Sequence, residues 1–210
     1  EASAPIDAWR SLGFDDSGWS NAAAPFYYGD PYSTAANPGT LLSDMQATYS
    51  SIYLRRTFNV PFAAAVSNLF LVHQSDDGFI AWINGVEVIR YNMGAGDIPY
   101  NGSAPQSIQE PANSGAPYVP VTLNNPSAYL VNGENVLAVH AFNNQPTTSS
   151  DFGFNAQLYT FVLDPASVPP TLVNVSPRAG EVFALTNITL TFSEPVTGVT
   201  ADDLLINGVS

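Results

Sequence analysis

Few side chains in this sequence are of a type that could carry reaction chemistry. There are two histidines, His73 and His140, no cysteine and no lysine, and the acidic residues include the adjacent pairs Asp15-Asp16 and Asp76-Asp77. General acid–base work by carboxylates needs two groups that converge on one bond. Neighbouring residues on a strand point to opposite faces, so Asp76 and Asp77 are not expected to form such a pair. Both histidines fall in strand-like segments, where a satisfied, partly buried imidazole is expected rather than a general base. No Gly-x-Ser-x-Gly elbow, His-Glu-x-x-His helix or phosphate loop occurs. The chain therefore reads as non-catalytic.

Oxygen atoms are the plentiful ligands here, and without thiolates calcium is the metal that the composition suits best. Asp15 and Asp16 stand in Phe14-Asp15-Asp16-Ser17-Gly18-Trp19, where short carboxylates also cap turn amides through Asx geometry. Recognition of a neutral sugar asks for an aromatic platform and convergent polar groups. Tyr28 and Tyr32 in or beside one long loop, Arg90, Asn92, Asp97 and Tyr100 at a second, and Asn143 at a third supply those types. The competing reading is that these tyrosines pack the loops onto the scaffold, which their apolar rings equally permit. Arg56 alternates with Leu54, Phe58 and Val60; a guanidinium on an apolar face must reach the rim or find a carboxylate, and a carboxylate partner is expected.

The elements that would position these groups are strands. Phe79–Asn84 and Val86–Arg90 flank Asn84-Gly85, the dipeptide of a type I′ hairpin turn. Further strands are expected at Ile52–Val60, Asn68–Gln74, Tyr118–Leu123, Glu134–Asn143 and Phe152–Leu163. The consecutive apolar residues Leu69, Phe70, Leu71 and Val72 suggest a central strand buried on both sides. Phe152, Phe154, Ala156 and Leu158 alternate with more polar neighbours, as on a half-buried one. Gly29–Ser51 and Asn92–Pro117 read as long irregular loops, a length usually tied to function. At Asp164–Pro170 paired prolines indicate an extended linker, so the expected division is a domain at 1–163, a linker at 164–170 and the opening of a second β-domain at 171–210.

With 18 acidic residues against five arginines the net charge is −13. No basic stripe is available to displace counterions from nucleic acid, and no polybasic segment to bind an anionic membrane. No apolar run approaches the roughly 18 residues of a membrane span. Glycans, cations and neighbouring protein domains remain as partners.

Four motifs together resemble the galactose-binding-like jelly-roll modules of large secreted bacterial proteins, similar to the sugar-binding domains attached to β-galactosidase-type glycosidases. They are the Phe14–Trp19 segment, Tyr53-Leu54-Arg55-Arg56-Thr57-Phe58, the Asp76–Val88 hairpin, and Gly133–Val139 followed by Ser149–Phe154. The resemblance implies an all-β jelly-roll sandwich, a secreted or cell-surface setting, and an accessory role in binding carbohydrate or in holding adjacent domains. It also implies one further strand before Phe14. In that broad fold calcium often ties the early part of the domain to its last strand, which points to Asp15 or Asp16 with Asp151. The tail, Val173–Pro177 with Leu190–Val196, resembles the start of a bacterial immunoglobulin-like repeat.

Overall fold

The structure is a computed structural model and describes residues 5, 7–29, 37–108, 119–160, 170–177, 187–193, 195–198 and 200. Contacts divide the chain into two units, Glu1–Phe161 and Val162–Ser210. The described residues contain strands and three single-turn 3-10 helices, at Asp7–Arg10, Ala63–Ala65 and Pro126–Ala128, and no α-helix.

The first unit is a two-sheet β-sandwich. Its strands are β1 (Phe26–Tyr28), β2 (Thr40–Leu41), β3 (Ser51–Val60), β4 (Leu69–Asp76), β5 (Gly78–Ile83), β6 (Val86–Tyr91), β7 (Val119–Leu123), β8 (Gly133–Phe142) and β9 (Phe152–Thr160). One sheet runs β2-β1-β9-β4-β7 and the other β3-β8-β5-β6. Every pairing is antiparallel except β1 with β2. The period-two pattern read from the sequence thus becomes strands, with β2 a short addition within the Gly29–Ser51 segment read as irregular and β1 just before it.

Leu71, Phe79, Ile83, Ala141 and Phe152 fill the space between the sheets, each with essentially no exposure. β4 lies between β9 and β7, yet its residues alternate buried and half-buried, so it is not the strand covered on both faces. That strand is β5, whose six residues are all buried. The reason is a second apolar layer on the outer face of its sheet, where Trp9, Tyr53, Ile80, Trp82, Ala138 and Phe142 cluster. Residues 7–20 and the loop after β6 cover that face, contributing Phe14, Trp19, Met93, Ile98 and Tyr100.

The hairpin turn forms as the sequence requires. Asn84 and Gly85 have φ of 50° and 86°, the left-handed values that a type I′ turn demands and that glycine accepts without cost. Gly78 has a different reason: a Cβ there would lie 2.8 Å from Met93 Sδ and 2.9 Å from the Asn92 carbonyl.

Of the second unit, β10 (Leu172–Ser176) and β11 (Thr189–Phe192) pair antiparallel. Of the second β-domain expected at 171–210, residues 178–186, 194, 199 and 201–210 lie outside the described residues.

Candidate functional site

The outer layer begins with β3. Because side chains alternate along it, Ile52, Leu54 and Phe58 enter or flank the inter-sheet core while Tyr53 joins the outer cluster. β8 alternates in the same way and places His140 beside Tyr53. Their rings stack at 3.9 Å between centroids, and His140 also lies 3.8 Å from Phe142. The 3-10 turn at Asp7–Arg10 lays Trp9 edge-on against Tyr53 at 5.0 Å and against Trp82 at 5.6 Å.

Arg10 completes the group. Its guanidinium carbon stands 4.3 Å above the Trp82 ring, within cation–π range, and its Nη2 donates to Asp97 Oδ1 at 3.2 Å. Its Nε is buried with no hydrogen-bond partner among the described residues. Trp9, Arg10, Tyr53, Asp97 and His140, with Pro5, Ile98 and Pro99, line a pocket of about 250 Å³, just under the range of about 300–1,000 Å³ usual for small-molecule clefts. A single small ring is the size of ligand it suits.

The protonation state of His140 follows from its partners. Ser51 Oγ donates to the Tyr100 carbonyl at 2.6 Å, and a carbonyl can only accept. The contact of 2.9 Å between His140 Nε2 and Ser51 Oγ therefore has the imidazole as donor, leaving Nδ1 with its lone pair. Burial, with the nearby Arg10 charge, lowers the His140 pKa from 6.5 to about 3. The ring is neutral at physiological pH, and the pocket presents a guanidinium, an exposed carboxylate, an imidazole and aromatic edges.

At the end of the sandwich a different cluster ties loops to the scaffold. Asp76 and Asp77 are both buried, at 3% and 2% exposure, and Asp76 hydrogen-bonds to Asp77. Strand alternation, the ground for not expecting a converging acid–base pair here, does not govern their directions, because Asp76 closes β4 and Asp77 stands between strands. The peptide joining them is cis. Asp77 Oδ1 accepts the Ile108 amide at 2.7 Å and its Oδ2 accepts the Asn144 amide, while its own N–H donates to the Phe142 carbonyl at 3.1 Å. Burial raises the Asp77 pKa, and the amide bonds and Asp76 partly offset this. These contacts join three chain segments, an architectural use of both oxygens.

The sugar-contact candidates separate into different environments. Tyr28 is 4% exposed, with its hydroxyl donating to the Ser149 carbonyl at 3.4 Å and accepting from Asn143 Nδ2 at 2.7 Å. Asn143 is wholly buried. Arg90 grips Glu87 through two nitrogens at 2.9 and 2.7 Å and donates to the Gly94 carbonyl at 2.6 Å. Asn92 donates to the carbonyls of Asp77 and Gln106 at 3.4 and 2.7 Å. Tyr100 is half-buried against the outer layer, and Tyr32 lies outside the described residues. Asp97 alone of these lines the aromatic pocket.

The calcium candidates are likewise separated by their bonds. Asp15 accepts the Ser17 amide at 3.0 Å, which lowers its pKa. Asp16 pairs with Arg55 Nε at 2.8 Å. Asp151, immediately before β9, sits beside Ser149 and Ser150 and close enough to Tyr28 and Asp77 to act on both electrostatically. No group of three or more His, Cys, Asp or Glu residues arranged to hold a metal ion occurs among the described residues.

Sequence reasoning did not single out Trp9, Arg10 or Tyr53 as pocket residues. The available signal was apolar or aromatic character on both faces of one sheet: Tyr53 against Ile52 and Leu54 on β3, and Ala138, His140 and Phe142 against Val139 and Ala141 on β8. A two-faced sheet needs a cover on each side, and crevices form where such covers meet.

The fold and site define an all-β sandwich with a covered outer face. No protein-family model matches the chain, and no curated protein matches it. Among solved structures it is similar to a Bifidobacterium dentium β-glucuronidase complexed with coumarin-3-O-glucuronide, at 18% identity and a TM-score of 0.28, over 46% of this chain and 12% of that one. It is also similar to a calcium-binding mutant of Bacteroides uniformis β-glucuronidase 2, at 15% identity and a TM-score of 0.43, over 84% of this chain and 19% of that one. The chain spans only a small part of either enzyme.

Proposed function

We propose that the first unit is a galactose-binding-like, non-catalytic accessory module of a secreted or cell-surface multidomain protein, and that it binds carbohydrate in the pocket of Arg10, Tyr53, Asp97 and His140. The observation that carries this reading is the Arg10–Asp97 pair set beside aromatic rings in one pocket. A sugar ring presents C–H faces and hydroxyls together, and such a pocket answers both. The neutral His140 adds an acceptor, and Arg10 keeps a buried Nε without a partner among the described residues. Asp77, whose pKa burial raises, has both oxygens engaged by amides, which supports a structural role for it.

A glycan array followed by calorimetry with the best ligand tests this. Arg10→Ala and Asp97→Ala are each expected to weaken binding at least tenfold while thermal unfolding stays cooperative. An array without a hit, or affinity indifferent to both substitutions, would overturn the lectin reading. A structural spacer is then the reading that stands, and the inward-turned Tyr28 and Asn143 favour it. Calcium is proposed as a structural ion only if its addition raises the melting temperature of the unmodified chain.

A further inference from the structure

A groove lies on the other side of β3. Within its sheet β3 pairs with β8 alone among the described residues. Two cavities of about 600 and 490 Å³ run beside it and share Ala22, Phe26 and Leu54. The larger reaches along β3 to Phe58 and the smaller back to Ile52. At about 3.3 Å per residue this makes a groove of roughly 20 Å parallel to a sheet edge. A long edge leaves a row of backbone donors and acceptors available for pairing.

The described arginines differ in their pairing. Arg10, Arg55 and Arg90 each have a carboxylate partner. Arg56, on the groove side, is exposed and has no ion pair among the described residues. The carboxylate expected for Arg56 from its apolar neighbours is not supplied by this chain's described side chains, and Asp44 stands toward the opposite end of the groove.

We infer that the groove receives an extended segment of a separate polypeptide, which adds to β3 as a further strand. Its backbone pairs with the β3 edge, alternate apolar side chains enter the two cavities, and an acidic side chain meets Arg56. Strand addition of this kind takes affinity from main-chain hydrogen bonds and specificity from pockets for alternate side chains. The groove's length beside an edge strand favours a strand over a compact small molecule. A second copy of this chain is disfavoured because each carries a net charge of −13, and like charges repel on approach.

The test is selection of phage-displayed random ten-residue peptides on the immobilised 210-residue chain. Enriched peptides are expected to alternate apolar residues and to share an Asp or Glu at one position. Selection on the Arg56→Glu variant should change that position to Lys or Arg. Ala156→Trp, which fills the larger cavity, should weaken the consensus peptide more than tenfold, whereas Arg10→Ala should leave it unchanged. Absence of enrichment, or peptides whose charge ignores Arg56→Glu, would overturn the proposal. Concentration-dependent dimerisation abolished by Arg56→Glu would overturn it in favour of a second copy.

Discussion

Adjacent arginines on β3 have opposite environments because successive side chains face opposite sides. Arg55 turns outward beneath the Asp7–Arg10 turn, its side chain only 3% exposed, and bonds Asp16 and the carbonyls of Trp9 and Ser11. Arg56 is exposed on the groove side and makes no such bonds among the described residues. The sequence directed attention to Arg56 because its neighbours in alternation are apolar. It could not reveal that Arg55 would be the one buried, since that depends on a chain segment some 40 residues away folding over it. We therefore expect Arg55→Met to destabilise the fold by roughly 2–3 kcal/mol, the scale of lost charge-assisted hydrogen bonds. Arg56→Met should leave the melting temperature unchanged or slightly raised. Urea unfolding of the two variants side by side checks this contrast.

At the scale of elements, the β5–β6 hairpin joins local and distant causes. Its turn dihedrals follow from Asn84-Gly85 alone. The Asn84 side chain, however, also accepts the Val136 amide at 3.0 Å and donates to the Tyr129 carbonyl and Asn135 Oδ1 at 2.8 and 2.7 Å. Asn135, wholly buried, in turn bonds the backbone of Val131 and Gly133. The turn is thus fastened to the start of β8. Asn84→Gly retains the left-handed preference but removes these bonds, so a loss of about 2–3 kcal/mol is expected, since each hydrogen bond contributes about 1 kcal/mol and the stranded buried partners cost more. A denaturation midpoint equal to that of the unmodified protein would show that the turn acts through its dihedrals only.

Across the whole molecule, two buried histidines make stability depend on pH. Burial lowers the His73 pKa from 6.5 to about 4 and, together with Arg10, the His140 pKa to about 3. His73 lies among the rings of Phe79 and Tyr91, both at 4.7 Å, and neither of its nitrogens has a hydrogen-bond partner among the described residues. Below pH about 6.5 the unfolded chain takes up protons that the folded chain excludes, so stability is full above that pH and falls as the pH drops toward 4. His73→Phe removes one such contribution. Between pH 7 and pH 4 the variant should lose on the order of 3 kcal/mol less stability than the parent, at about 1.4 kcal/mol per pKa unit. Parallel loss in the two proteins, followed by calorimetry across that range, would contradict this account.

The sequence by itself determined the all-β class, the positions of the main strands and the hairpin turn, because alternation and turn dihedrals are properties of neighbouring residues. Only the tertiary structure decided that the sheet containing β5 has two apolar layers, that Asp76 and Asp77 meet, and that Arg10, Tyr53, Asp97 and His140 share one pocket. Those groups are separated by up to 130 positions in the chain, and their meeting depends on strand order and on which loop crosses which face. A local pattern names the face on which a residue stands. The energy of covering that face, with apolar burial and every enclosed polar group bonded, selects what stands opposite it.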